Sequence, residues 1–94
     1  MKIKFAPTRK LTKHGKRMAW IRFEENFPQW RLKGAGCYGR GLKSKGVSYY
    51  PATQLMHFKG IAFWTDDPEA AYKELFALSK PDAKYWLKKK KAEL

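Results

Sequence analysis

The stretch from Arg31 to Gly46, RLKGAGCYGRGLKSKG, holds five of the seven glycines and five cations, with no acid. Glycine lets a backbone approach a ligand closely and reach positive φ. Successive N–H groups in such turns form concavities that suit anions. Arg40 stands between Gly39 and Gly41, so the sequence predicts a guanidinium with little steric shielding. The chemistry on offer is anion binding. Lys33, Tyr38, Arg40, Lys43 and Lys45 are its candidate contacts, and Gly34 to Gly46 reads as a basic glycine-rich loop.

Residues 34–39 also match G-x-G-x-x-G. A dinucleotide site needs that pattern to open a helix after a strand, with an acid some twenty residues on. Here Gly41 and Gly46 oppose a helix and the downstream region, Thr53 to Met56, has no acid. No nucleotide cofactor is expected; the glycines bend a hairpin, build a bulge, or track phosphates. Catalysis finds little support. His14, Cys37 and His57 lack a zinc spacing. Asp66, Asp67 and Glu69 could hold Mg²⁺, but a helix start accounts for all three. The expectation is no enzyme, no metal, no cofactor and no small-molecule substrate.

The cations say more by placement than by number. The net charge is +13, from 21 Lys plus Arg against 8 Asp plus Glu. No acid occurs between Met1 and Phe23, nor between Asn26 and Thr65. Segregation of this kind is the electrostatic footprint of a surface that binds a polyanion backbone. A second basic stretch, Thr8 to Arg17, brings Arg9, Lys10, Lys13, Lys16 and Arg17, and Arg22 follows beside Trp20. Aromatics beside cations suit unpaired bases, since every base offers a π-face. The expected partner is therefore nucleic acid, DNA or RNA, with phosphates neutralised by the two basic loops. The alternative is an acidic protein surface, on which the chain docks as a small interaction module or phage-style inhibitor. The ribonucleoprotein signature, the KH-type G-x-x-G between helices and zinc-knuckle cysteines are all absent. The run Lys88 to Lys91, in a Lys-rich end spanning 88–94, reads as a solvated helix face.

Several elements must position these residues. Ninety-four residues allow one domain, 1–94. An apolar content of 44%, with four Trp, five Tyr and six Phe, argues for a packed core despite the charge. The single cysteine permits no intrachain disulfide, and no apolar run reaches the length of a membrane span. Cations interrupt any leader-like stretch after Met1, so the chain reads as cytoplasmic with no membrane partner. Alternation predicts strands at 2–5, 18–24, 29–33 and 47–50. In the second, Ala19, Ile21 and Phe23 would share one face. Leu55 to Trp64 is the most apolar segment; its pattern slips at Lys59-Gly60, marking a bulge or junction, and 60–64 is expected to be a central buried strand. Asp67-Pro68 opens an amphipathic helix over about 68–79, and Ser79 to Asp82 opens a second. The expected fold is α+β: a small antiparallel sheet of four or five short strands, then two C-terminal helices packed on one face, with the other face left for a ligand.

Overall fold

The computed structural model describes residues 11–40 and 46–92. The expected strand at 2–5 and the site residues Arg9, Lys10, Lys43 and Lys45 lie outside them. The fold is α+β, with a five-stranded antiparallel sheet followed by two C-terminal helices. The order is α1 (Lys13–Asn26), β1 (Arg31–Gly34), β2 (Cys37–Gly39), β3 (Ser48–Tyr50), β4 (Leu55–Phe58), β5 (Ile61–Trp64), α2 (Pro68–Leu75) and α3 (Lys80–Ala92). Each strand pairs with the next, so the sheet is a meander in the order β1-β2-β3-β4-β5.

The region 18–24 is helical, which corrects the expected strand and half of the expected 8–17 loop. Thr12 caps α1, its hydroxyl accepting from the Gly15 N–H at 3.0 Å. On a helix, Ala19 and Phe23 share a face at i, i+4, whereas Ile21 points the other way. Ala19 and Phe23 are buried accordingly, and Ile21 and Met18 are each 38% exposed. Trp20 and Arg22 therefore do not share a polar face. Tertiary packing decides here: Phe23 meets the rings of Tyr38 at 4.7 Å and Tyr49 at 5.2 Å.

Cross-strand register defines the two faces of the sheet. Leu32, Tyr38, Tyr49, Met56 and Phe63 lie in one row across all five strands, with Phe58 and Ile61 beside them. All three helices cover this face. Phe23 of α1 packs on Tyr38 and Tyr49, Tyr72 of α2 stacks on Phe58 at 5.3 Å, and Trp86 of α3 meets Phe63 edge-on at 5.3 Å. Tyr49 donates its hydroxyl to the Thr65 carbonyl at 2.7 Å, which satisfies a buried polar atom.

The slip at Lys59-Gly60 is a junction. Both residues have positive φ, 53° and 78°, and Phe58 pairs with Ile61 across them. That is the backbone of a two-residue type I′ hairpin. Residues 60–64, expected to be a central buried strand, instead supply β5, an edge strand of the described sheet. Its side chains alternate buried and exposed, because helices cover one face only.

At α2, Asp67 accepts from the Ala70 N–H at 3.1 Å and Pro68 takes the first turn. Asp67→Ala is expected to lower stability by about 1 kcal/mol, the usual scale of a lost N-cap. A urea melt of both proteins checks this, and an unchanged midpoint would show that Asp67 does not hold the helix start.

Candidate functional site

The glycine stretch resolves into the β1–β2 hairpin. Gly34, Ala35 and Gly36 turn the chain with φ of 133°, 52° and 74°, and the register shifts between Leu32 and Gly34. The hairpin and bulge reading of these glycines therefore describes them, and the G-x-G-x-x-G pattern runs into a strand. Gly36 is favoured by its positive φ, and an added Cβ would crowd the Trp20 ring at 3.1 Å. Gly39 leaves room for the alkyl stem of Lys33 to cross β2 on the face away from the helices. Lys33 Nζ then donates to the Val47 carbonyl and to Ser48 Oγ, each at 3.1 Å.

Two candidate contacts of this stretch are turned inward. Tyr38 is 9% exposed, lies against Phe23, and accepts the Trp20 indole N–H at 3.1 Å. It offers no free ring face to a base. Arg40 is shielded rather than open. Its Nε donates to both oxygens of Glu69 at 2.9 and 2.7 Å, and its guanidinium lies 5.5 Å over the Tyr72 ring. Glu69 also accepts from Trp30 Nε1 at 2.7 Å, and its side chain is only 12% exposed. Burial alone would push the Glu69 carboxyl up, but the hydrogen bonds from Arg40 and Trp30 outweigh it and hold it below the ordinary carboxylate range. The same hydrogen bond raises Arg40. Arg40 thus ties the end of β2 to the first turn of α2.

The remaining described candidates lie on α1. Lys13, Lys16, Arg17 and Trp20 follow i, i+3, i+4, i+7 spacing and form one stripe, with all three cations exposed. Arg22 is exposed on the other side of the helix. None of these four cations pairs with a carboxylate among the described residues. Beside the stripe runs a shallow groove of about 400 Å³, lined by Lys16, Arg17, Trp20, Ile21, Glu24 and Ala52. The charges of α1 run against its dipole: no acid stands in its first turn, no cation in its last, and Glu24 and Glu25 lie near its C-terminus. Helix stability does not explain that order. The positive end of the dipole adds to the field of Lys13, Lys16 and Arg17 instead.

The chain matches no known protein-family model, no curated protein and no solved structure. Its chemistry is read from its own residues. Among the described residues no group of His, Cys, Asp and Glu is placed to hold a metal ion, and no helix is long and apolar enough to cross a membrane. In α3, Lys90 approaches Glu74 at 3.7 Å, while Lys88, Lys89 and Lys91 are exposed.

Trp64 is not among the candidate contacts read from the sequence, and the sheet groups it with Tyr50 and His57. Tyr50, His57 and Trp64 stand on the sheet face away from the helices, with Arg31 and Lys33 near the β1 edge. The signal was present as alternation: Met56 and Phe58 are buried with His57 exposed between them, and Ile61 and Phe63 are buried with Ala62 and Trp64 exposed.

Proposed function

We propose that this protein binds nucleic acid, DNA or RNA, by neutralising backbone phosphates with exposed cations. The observation that carries this reading is α1. Lys13, Lys16, Arg17 and Arg22 are exposed and without carboxylate partners among the described residues, and their order opposes the helix dipole. A phosphate backbone lying along the N-terminal half of α1 relieves both the self-repulsion of a +13 chain and the unfavourable charge order. The acid-free run from Asn26 to Thr65 covers every strand of the sheet, so the positive field extends beyond the helix. Arg40 is assigned a structural part in this reading, because Glu69 holds its Nε.

A fluorescence-anisotropy titration with DNA and RNA oligomers at several salt concentrations tests this. We expect about four to seven phosphate contacts, with log K falling by about 0.9 per contact on duplex or 0.7 on single strands against log salt. The triple variant Lys13→Gln, Lys16→Gln, Arg17→Gln is expected to flatten that slope by about two to three units. Binding only in the millimolar range at low salt, or an unchanged slope in the triple variant, would overturn the reading.

One observation favours the second reading, docking on an acidic protein. Met18 and Ile21 are exposed on the solvent side of α1, where apolar anchors suit a protein partner. Pull-downs with and without nuclease separate the two. Partners lost after nuclease support nucleic acid, and a stoichiometric acidic protein that survives supports docking.

A further inference from the structure

All three helices pack on one face of the sheet; on the other, among the described residues, His57, Ala62 and Trp64 are exposed and Ser48, Tyr50 and Leu55 are half-buried. On that face the register places Tyr50, Leu55 and Trp64 in one cross-strand row and Ser48, His57 and Ala62 in the next. Three rings thus stand on three successive strands, with Tyr50 and His57 in a T-shaped pair whose centroids are 6.3 Å apart. Two strand spacings, about 10 Å, separate the Tyr50 and Trp64 positions. His57 and Ala62 are exposed, and Trp64 is 37% exposed.

Trp64 differs from the other tryptophans. Trp20 donates its indole N–H to Tyr38, Trp30 to Glu69 and Trp86 to Glu74. Trp64 has neither a hydrogen-bond acceptor nor a ring partner among the described residues. The exposed part of its ring, with no aromatic neighbour and no acceptor for its N–H among the described residues, is available for contact. The face is also purely cationic in charge. No acid occurs in any strand or in the turns between them, while Arg31 and Lys33 stand near its β1 edge. Lys33 hydrogen-bonds only neutral oxygens, so its charge stays uncompensated.

We propose that this open sheet face is a stacking platform for unpaired bases, so that the nucleic acid bound is single-stranded, with Trp64 as principal base contact and His57 and Tyr50 beside it. The inference rests on the nucleic-acid reading above and adds its strandedness. Aromatic rings among cations fit a strand whose bases are free and whose backbone is anionic. A duplex keeps its base faces stacked inside and offers this surface only phosphates. An acidic peptide would match the charge but would not call for rings on three neighbouring strands.

The test uses a 15-nucleotide oligo-dT, an oligo-U of equal length and a DNA duplex, titrated against the full chain and three variants. Trp64→Ala and Trp64→Leu are expected to weaken single-strand binding about tenfold or more, with the salt slope unchanged. Duplex affinity should change by less than about twofold. Trp64→Phe keeps a π-face and should retain most of the single-strand affinity. A merely structural Trp64 would not separate Phe from Leu in this way. If Trp64→Ala is misfolded by circular dichroism, the Leu and Phe variants, which keep apolar bulk, decide. Wild-type affinity of Trp64→Leu for single strands, or equal losses on single strand and duplex, would overturn the proposal while leaving phosphate binding intact. If wild type binds none of the oligomers, the proposal falls together with the nucleic-acid reading.

Discussion

Replacing Phe23 by Ala is expected to cost about 4 kcal/mol, within the range for emptying a buried phenyl site. Phe23 is 4% exposed and stands where α1 meets the sheet. Its ring lies within 6.2 Å of the rings of Phe27, Trp30, Tyr38 and Tyr49. Those neighbours come from the C-cap of α1, the loop after it, β2 and β3, so they cannot all close on one vacancy. Small domains have about 5–15 kcal/mol in total, and the variant should be marginal at 25 °C. Ile21→Ala is the control. Ile21 faces solvent on the helix, and its loss should cost under about 1 kcal/mol. Urea unfolding with slopes compared between variants checks both values. Comparable losses at 21 and 23 would place the two side chains on one buried face, as in a strand, and would refute the helical assignment.

The second large effect is expected at the Arg40–Glu69 pair. Arg40→Ala removes the charged donor of a mostly buried carboxylate and leaves it the neutral hydrogen bonds of Trp30 and Gln29. The expected loss is about 2–3 kcal/mol, the scale of charge-assisted hydrogen bonds whose partner is removed. In oligonucleotide titrations, the folded variant should keep the wild-type salt slope, because Glu69 already pairs with this cation through Nε. A slope shallower by about one unit would instead place Arg40 on a phosphate.

The pair also dictates a pH dependence. Glu69 is held below its unfolded value, so between the two values the unfolded chain binds more protons than the folded one. Stability from this group is therefore complete above the ordinary carboxylate pKa of about 4.3 and is lost as pH falls through the lower folded value. Glu69→Gln isolates this contribution. The stability difference between wild type and Glu69→Gln should be constant above about pH 5 and drift towards Glu69→Gln on acidification. Parallel curves down to acid unfolding would show that the carboxyl is not held low.

Local chemistry made much of this protein legible. The α+β class follows from alternating strands ahead of capped helices, and Asp67-Pro68 announces α2 because a cap and a first-turn proline act within one turn. Charge segregation is likewise a property of the chain itself: a run without acids from 26 to 65 stays without acids however it folds. Contacts between distant residues decided the rest. Ala19, Ile21 and Phe23 satisfy a strand period, while Ala19 and Phe23 alone satisfy a helix. Only the sheet rings packed on Phe23, together with the Thr12 cap, select between the two. Arg40 looks open between two glycines until Glu69, 29 positions away, closes on it. Tyr38 becomes core because α1 lies over β2. Conversely, Trp64 ends the most apolar segment of the chain and is read from composition as buried, yet it stands on the uncovered face. Period 2 divides a strand's side chains into two sets, but the packing of helices on one side determines which set meets solvent.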